Sequence, residues 1–256
     1  MLSRAIVRPP GPTFAAGLTS VRLGAPDFGR ALEQHEAYCA ALQQCGLTLT
    51  RLEPDREYPD ATFLEDTAVI TERGAVLTRP GAASRIGEVA RISEVLQQFY
   101  SELHSIQAPD TIDGGDVCEA DKEFFIGISQ RTNEAGASQL AELLKSFGYP
   151  SSFVDIRGVK GILHLKSGLG YLGDNQLVAI EALVEREEFR DYDLVRVNAG
   201  EEYAANCVRV NNRVLVADGY PAFEERLRGL GHQTIALDMT EFQKMDGGLS
   251  CLSLRF

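Results

Sequence analysis

No stretch of this chain approaches the roughly 18 consecutive apolar residues that a membrane span needs, so a transmembrane helix is not expected. Met1–Pro10 has no apolar signal-peptide core and runs straight into Ala5-Ile6-Val7, a strand pattern, so the expected location is cytoplasmic. Paired cysteine spacing is also missing. The five cysteines (Cys39, Cys45, Cys118, Cys207 and Cys251) are odd in number and form neither a C-x-x-C nor a zinc-ligand set. That argues against a disulfide framework and against a structural metal. Basic charge is in deficit as well, with 25 Lys and Arg against 37 Asp and Glu and a net charge of −12. Nucleic acid and anionic membrane are disfavoured as partners, and a cationic ligand is mildly favoured. No linker or low-complexity segment divides the 256 residues, which are enough to bury a catalytic cavity in one domain, 1–256.

What is present is one pattern written five times. A polar or glycine-rich lead-in runs into a short apolar strand, then a second strand, a helix and a return strand. The lead-ins are Glu65-Asp66-Thr67, Gly114-Gly115-Asp116, Ser167-Gly168-Leu169, Ala205-Asn206-Cys207 and Leu249-Ser250-Cys251. From Asp66 to Asp116, Leu169, Asn206 and Cys251 the steps are 50, 53, 37 and 45 residues. Hydrophobicity and punctuation carry the repeat, since residue identity between units is negligible. Partner strands are expected at Ala75–Thr78, Glu123–Gly127, Gln176–Ile180 and Arg213–Ala217. Helices are expected at Asp27–Gly46, Arg91–Tyr100, Thr132–Gly148, Glu181–Tyr192 and Pro221–Gly231, and return strands at Leu47–Leu52, Ser152–Ile156, Leu194–Val197 and Thr234–Leu237. The last unit stops after its first strand, and the N-terminal strand and helix supply what it lacks. A ring closed in this way leaves no open sheet edge. The expected fold is therefore α/β, a five-bladed α/β propeller of ββαβ-type repeats around a central channel, with a doubly wound parallel sheet as the competitor.

Three segments offer chemistry. In Asp246-Gly247-Gly248-Leu249-Ser250-Cys251, two glycines permit a tight open turn just before the thiol. The segment alone leaves a catalytic and a buried structural cysteine equally open. Of the four histidines only His164 opens a channel strand, whereas His35 lies on a helix face and His104 and His232 precede peripheral strands. A Cys–His pair with an orienting carboxylate makes a nucleophile and a proton shuttle. Asp113 and Asp116 flank Gly114-Gly115, so one can face the histidine and the other the turn, although Asp and Gly are also common turn residues. Asp60, Glu65 and Asp66 add acids at another lead-in. Such acids are costly to bury unless they meet a cation, and a planar guanidinium matches paired carboxylates.

Asp60-Ala-Thr-Phe63-Leu-Glu65-Asp66, Thr78-Arg-Pro-Gly-Ala-Ala-Ser-Arg85, Asp113-Gly-Gly-Asp116, Arg131-Thr-Asn, His164-Leu-Lys, Ala204-Ala-Asn-Cys and Asp246-Gly-Gly-Leu-Ser-Cys251 occur in that order. Together they resemble the dimethylarginine dimethylaminohydrolase family of the guanidine-modifying pentein superfamily, over nearly the whole chain. The resemblance implies a five-bladed propeller and hydrolysis of Nω-methylated L-arginine to L-citrulline through a covalent Cys thiouronium. It implies Cys251 as nucleophile, His164 as general acid and base, and Asp113 as the group orienting His164. It further implies Asp66, with Glu65 and Asp60, as the guanidinium site, and Arg85 and Arg131 as holders of the substrate carboxylate. The backbone at Leu18 and Met245 would take the α-amino group, and Phe63 would line the pocket. No cofactor or metal is implied, the partner is a small molecule, and a homodimer is the assembly left open.

Arginine and agmatine deiminases of the same superfamily carry a second guanidinium-binding Asp two residues after the histidine, where this chain has Lys166. Losing that acid suits a methylated nitrogen. Ile86 stands where a second arginine would be expected after Arg85. The alternatives are a deiminase on the same scaffold, a non-catalytic pentein binding protein, and a cysteine peptidase. The peptidase is disfavoured because acids around the pocket would repel a developing oxyanion.

Overall fold

The computed structural model describes residues 1–256 and forms five separate three-stranded sheets. Each follows one plan. A hairpin of two antiparallel strands comes first, and a third strand lies beside the second. Ala68–Thr71 and Gly74–Leu77 are joined by Leu103–Ser105, and Val117–Ala120 and Glu123–Ile128 by Ser151–Asp155. Leu169–Gly173 and Gln176–Ala179 neighbour Asp193–Arg196, and Val208–Val210 and Arg213–Ala217 are joined by Gln233–Leu237. The fifth sheet takes Ser253–Arg255 antiparallel to Arg4–Val7, with Thr48–Arg51 parallel on the other side. The two ends of the chain thus complete one sheet, as the truncated last unit requires.

Hairpins form here because Asp121, Asp174-Asn175 and Asn211 accept the left-handed backbone of tight turns, with φ between 51° and 64°. The long N-terminal helix spans Phe28–Gln44. Asp27 caps it by accepting the Arg30 N–H, and Ala31, His35, Tyr38, Cys39 and Leu42 form its buried face.

Two compact units make up the chain. Met1–Leu64 with Arg196–Phe256 packs around Phe14, Tyr38, Leu42, Leu215, Phe242 and Leu252. Glu65–Val195 packs around Val76, Ile112, Phe124, Ile126, Leu140 and Leu144. No helix is long and apolar enough to cross a membrane.

The polar and glycine-rich lead-ins are 3-10 turns. Leu64–Thr67, Gly114–Asp116, Leu165–Ser167, Glu202–Ala205 and Ser250–Leu252 each sit one residue or a few before the first strand of a sheet. Two helices differ from expectation. The one expected over Arg91–Tyr100 spans Glu88–Leu96, a turn earlier. The one expected over Glu181–Tyr192 ends at Val184 and resumes as a 3-10 turn at Glu187–Phe189, because Arg186 between them is extended.

Candidate active site

The lead-ins carry the chemistry-bearing residues, and a hydrogen bond made three times ties one lead-in to a later one. In Glu65–Val195, Asp66 Oδ1 accepts the Gly115 N–H at 2.9 Å, and Asp116 Oδ1 accepts the Leu165 N–H at 2.9 Å. In the other unit Asn206 Oδ1 accepts the Ser250 N–H at 2.9 Å. Each time, a side chain on one lead-in clasps the backbone of a later one, where a 3-10 turn leaves a donor unused.

His164 occupies the cap position before Leu165–Ser167 and is 6 % exposed. Its Nε2 lies 2.9 Å from Asp113 Oδ2, and its Nδ1 lies 4.0 Å from Asp66 Oδ1. Asp113 is fully buried. Its second oxygen accepts the Gly81 N–H at 2.8 Å, and its own N–H donates to Thr132 Oγ1 at 3.1 Å. Of the two acids flanking the glycine pair, Asp113 therefore faces the histidine.

Glycine at 115 is a requirement of packing, since a Cβ there would lie 2.7 Å from His164 Nδ1 and 2.8 Å from Asp66 Oδ1. Burial by itself would lower the proton affinity of His164. The Asp66 charge, the hydrogen bond with Asp113 and the Asp116 and Asp113 charges outweigh it and raise the imidazole to about 9. Asp66 moves the other way. Burial would raise it, but the His164 and Arg85 charges and the hydrogen bonds from Arg85 and Gly115 hold it below the usual carboxylate range. At neutral pH the cluster is an imidazolium between carboxylates.

Arg85 is 5 % exposed and fully engaged in this network: Nη1 donates to Asp66 Oδ2 at 2.5 Å, and Nε and Nη2 donate to Glu88 at 2.9 to 3.3 Å. Arg131 differs. It is half-buried, and its guanidinium makes no ion pair within the protein. Lys166 Nζ donates to the buried Glu65 Oε1 at 2.7 Å, so the lysine in place of the deiminase acid is an ion-pair partner rather than a solvated strand end. Ile86 is partly exposed.

In the other unit, Cys251 is the one cysteine of the five that is not buried, and none forms a disulfide. Asp246 is left-handed (φ 57°), which turns the chain into the glycine pair. The Gly248 N–H then points at Cys251 Sγ at 3.4 Å, a donor that favours a thiolate. Asn206 braces the turn from below, its Nδ2 donating to Ser250 Oγ at 2.9 Å while its Oδ1 clasps the Ser250 N–H, and a Cβ on Gly248 would lie 2.5 Å from that Oδ1. Phe63 packs against Phe14 and Phe242, and a Cβ on Gly247 would lie 2.3 Å from its ring. The Leu18 N–H donates to both Asp60 oxygens at 3.0 and 3.2 Å, and a Cβ on Gly17 would lie 2.4 Å from Asp60 and 3.2 Å from Met245. Leu18, Asp60 and Met245 thus meet around one glycine.

Asp66, Asp113 and His164 offer three ligand atoms within 4.8 Å of one another, the geometry of a small metal site. Each is already bonded within the network, and a protonated His164 has no nitrogen lone pair to offer a metal. Sequence reasoning gave no role to Asn206, Ser129, Thr132 or Glu88. Ser and Thr three residues apart around Arg131 were the available sign.

A family model described as "N,N dimethylarginine dimethylhydrolase, eukaryotic" matches residues 28–249. The N(G),N(G)-dimethylarginine dimethylaminohydrolase of Pseudomonas aeruginosa is 44 % identical over the whole of both chains. That of Streptomyces coelicolor is 35 % identical over 98 % of this chain and 96 % of its own. Among solved structures, a dimethylarginine dimethylaminohydrolase adduct with S-methyl-L-thiocitrulline superposes with a TM-score of 0.97 at 44 % identity, covering both chains completely. A cysteine-to-serine mutant of the Pseudomonas aeruginosa enzyme, complexed with citrulline, gives the same values. The N-terminal domain of the cyanobacterial arginine dihydrolase ArgZ shares the fold, with a TM-score of 0.85 at 18 % identity.

Proposed function

The chain belongs to the dimethylarginine dimethylaminohydrolase family, and from that premise we propose how its own residues carry the reaction. The reaction is hydrolysis of Nω-methylated L-arginine to L-citrulline and methylamine or dimethylamine through a covalent cysteine intermediate. Cys251 is the nucleophile, His164 the proton shuttle and Asp113 its orienter. The observation that carries these roles is the His164 ring, fixed by Asp113 on one nitrogen with Asp66 facing the other.

A guanidinium is resonance-stabilised and a poor electrophile, so it has to be held against the nucleophile. Asp66, backed by Arg85, receives it, with Asp60 and Glu65 close in sequence. Arg131, whose guanidinium has no carboxylate partner in the protein, takes the substrate carboxylate. Arg85 acts through Asp66, because its donors are committed to Asp66 and Glu88. The backbone at Leu18 and Met245 receives the α-amino group, and Phe63 lines the pocket.

The Cys251 thiolate adds to the central carbon, forming the C–S bond of a tetrahedral adduct. An imidazolium is the right starting state for collapse of that adduct, since the departing amine must leave protonated. His164 gives it that proton, the C–N bond breaks, and a thiouronium remains. The now neutral His164 takes a proton from water, hydroxide adds to the same carbon, and the C–S bond breaks as the hydroxyl proton passes to solvent, releasing L-citrulline and the Cys251 thiolate.

The Lys166–Glu65 pair supports a methylated substrate over plain arginine, because it leaves no second acid on that side. Citrulline release from asymmetric dimethylarginine, arginine and agmatine tests the reading. Dimethylarginine is expected to give the highest kcat/KM, and Cys251→Ser to lose about 10³-fold or more in kcat while keeping its circular dichroism. A Cys251→Ser variant with near-normal turnover would end the mechanism, and better turnover of arginine would overturn the substrate reading.

A further inference from the structure

We propose that Asp116 is a positioning residue: its buried carboxylate fixes His164 and Asp113 in register with one another. The inference rests on His164 being the proton shuttle. Asp116 is fully buried and accepts three hydrogen bonds. Oδ1 takes the Leu165 N–H at 2.9 Å, directly after His164. Oδ2 takes the hydroxyls of Ser129 and Thr132, each at 2.6 Å. With their protons committed to the carboxylate, both hydroxyls act as acceptors for backbone N–H groups. Thr132 Oγ1 accepts from Asp113 at 3.1 Å, and Ser129 Oγ accepts from Arg131 at 2.9 Å and Thr132 at 3.1 Å. One anion thereby dictates the direction of every bond linking the backbone at Leu165, Asp113 and Arg131.

A comparison within the chain separates this from plain structural use. Asn206 makes the same clasp, side-chain oxygen to a later lead-in's N–H, without charge. The clasp therefore needs no anion, and burying one is costly. At Asp116 the cost is visible: burial raises its pKa to about 6, against the His164 charge and the hydrogen bonds from Ser129, Thr132 and Leu165. Asp66, Asp113 and Asp116 are the anions whose charge acts on His164, with Arg85 paired to both Asp66 and Glu88. Space is reserved as well. A Cβ on Gly127 would lie 3.0 Å from Asp116 Oδ1 and 2.9 Å from Leu165 Cβ.

Asp116→Asn keeps an oxygen for Leu165 but offers the hydroxyls a donor, so their protons lose their acceptor. Thr132→Val removes one arm of the network without touching the charge, and Thr132→Ser keeps its hydroxyl. The three variants, with His164→Gly as reference, are assayed in the full chain with dimethylarginine across pH 6 to 10. The His164 imidazole is also titrated by NMR, its resonance assigned by its loss in His164→Gly. Asp116→Asn is expected to lower kcat about 100-fold, as for a misplaced catalytic group, and to move the His164 titration to lower pH. Thr132→Val should lower kcat at least about tenfold with KM within about threefold, and Thr132→Ser should restore it. A wild-type kcat and pH profile in Asp116→Asn, with His164→Gly inactive, overturns this inference alone. An active His164→Gly overturns the shuttle reading beneath it. Should Asp116→Asn not fold, the Thr132 pair decides: equal kcat in the Val and Ser variants overturns the proposal.

Discussion

Deprotonating His164 by raising the pH should unpick the site's electrostatics, and its size can be worked from the structure. The imidazole is held at about 9 in the folded chain against an ordinary 6.5. A group whose folded value is raised binds its proton more tightly in the native state. Its contribution to stability is therefore fully present below pH 6.5 and lost as pH rises through about 9. By pH 9 the loss comes to about 3 kcal/mol, from roughly 1.4 kcal/mol per pH decade between the two values. That is a large share of the ~5–15 kcal/mol typical of a folded protein. The assay is urea unfolding of wild type and His164→Gln between pH 6.5 and 9, with glutamine as a partner that does not titrate. Above that window the buried thiols and phenols intrude, since burial pushes Cys39 to about 11 and Cys118, Tyr100 and Tyr192 to about 12. Wild-type stability should fall by ~3 kcal/mol across the window and that of the variant by less than ~1 kcal/mol. Parallel curves for the two proteins would refute the account of an imidazolium held by three acids.

Two further perturbations probe the surroundings of that cluster. Gly115→Ala inserts a methyl 2.7 Å from His164 Nδ1 and 2.8 Å from Asp66 Oδ1. It should cut kcat about 100-fold with the fold retained, and turnover within about twofold of wild type would contradict the packing argument. Lys166→Met removes the ammonium 2.7 Å from the buried Glu65 carboxylate. Chemical denaturation should register a loss of about 1–3 kcal/mol, and an unchanged midpoint would show that the pair contributes nothing.

Elements bounded by strong punctuation were readable from the sequence. Arg213–Ala217 lies where an apolar run after a short polar turn placed it, and the helix from Phe28 begins at its Asp27 cap. Weakly written elements were not. Leu103–Ser105 has one apolar residue in three, so its pairing with Gly74–Leu77 rests on backbone bonds that no side-chain pattern announces. The misplaced start of the Glu88–Leu96 helix had a functional consequence. Beginning that helix at Arg91 hid Glu88, which packs three residues from Arg85 and commits its guanidinium to the interior. Both arginines therefore looked equal in sequence, and burial separates them. The order of Asp113 and Asp116 was likewise undecided, because a glycine pair gives no direction. It is the 3-10 turn Gly114–Asp116 that sends one acid to His164 and the other to Ser129 and Thr132.

The clasps explain why five repeats with so little common sequence keep their chemistry at the same point of each repeat. A 3-10 turn before a strand leaves backbone N–H groups that a buried lead-in has to satisfy. Asp66, Asp116 and Asn206 satisfy them on later lead-ins, at separations of 49, 49 and 44 residues. Any residue with a short side-chain oxygen would serve, so selection for the fold alone tolerates Asn or Asp at each position. An anion there costs more than an amide unless a cation faces it. Both anionic clasps act by their charge on His164, and Asp66 also receives Arg85, whereas the amide clasp braces the turn beside Cys251. A negative charge beneath a thiolate would oppose its formation, and one beside an imidazolium supports it. The choice of Asp or Asn at each clasp therefore follows the charge of the group it carries. It is also why Cys251, undecided between structural and catalytic on its own segment, is better judged by the uncharged Asn206 behind it.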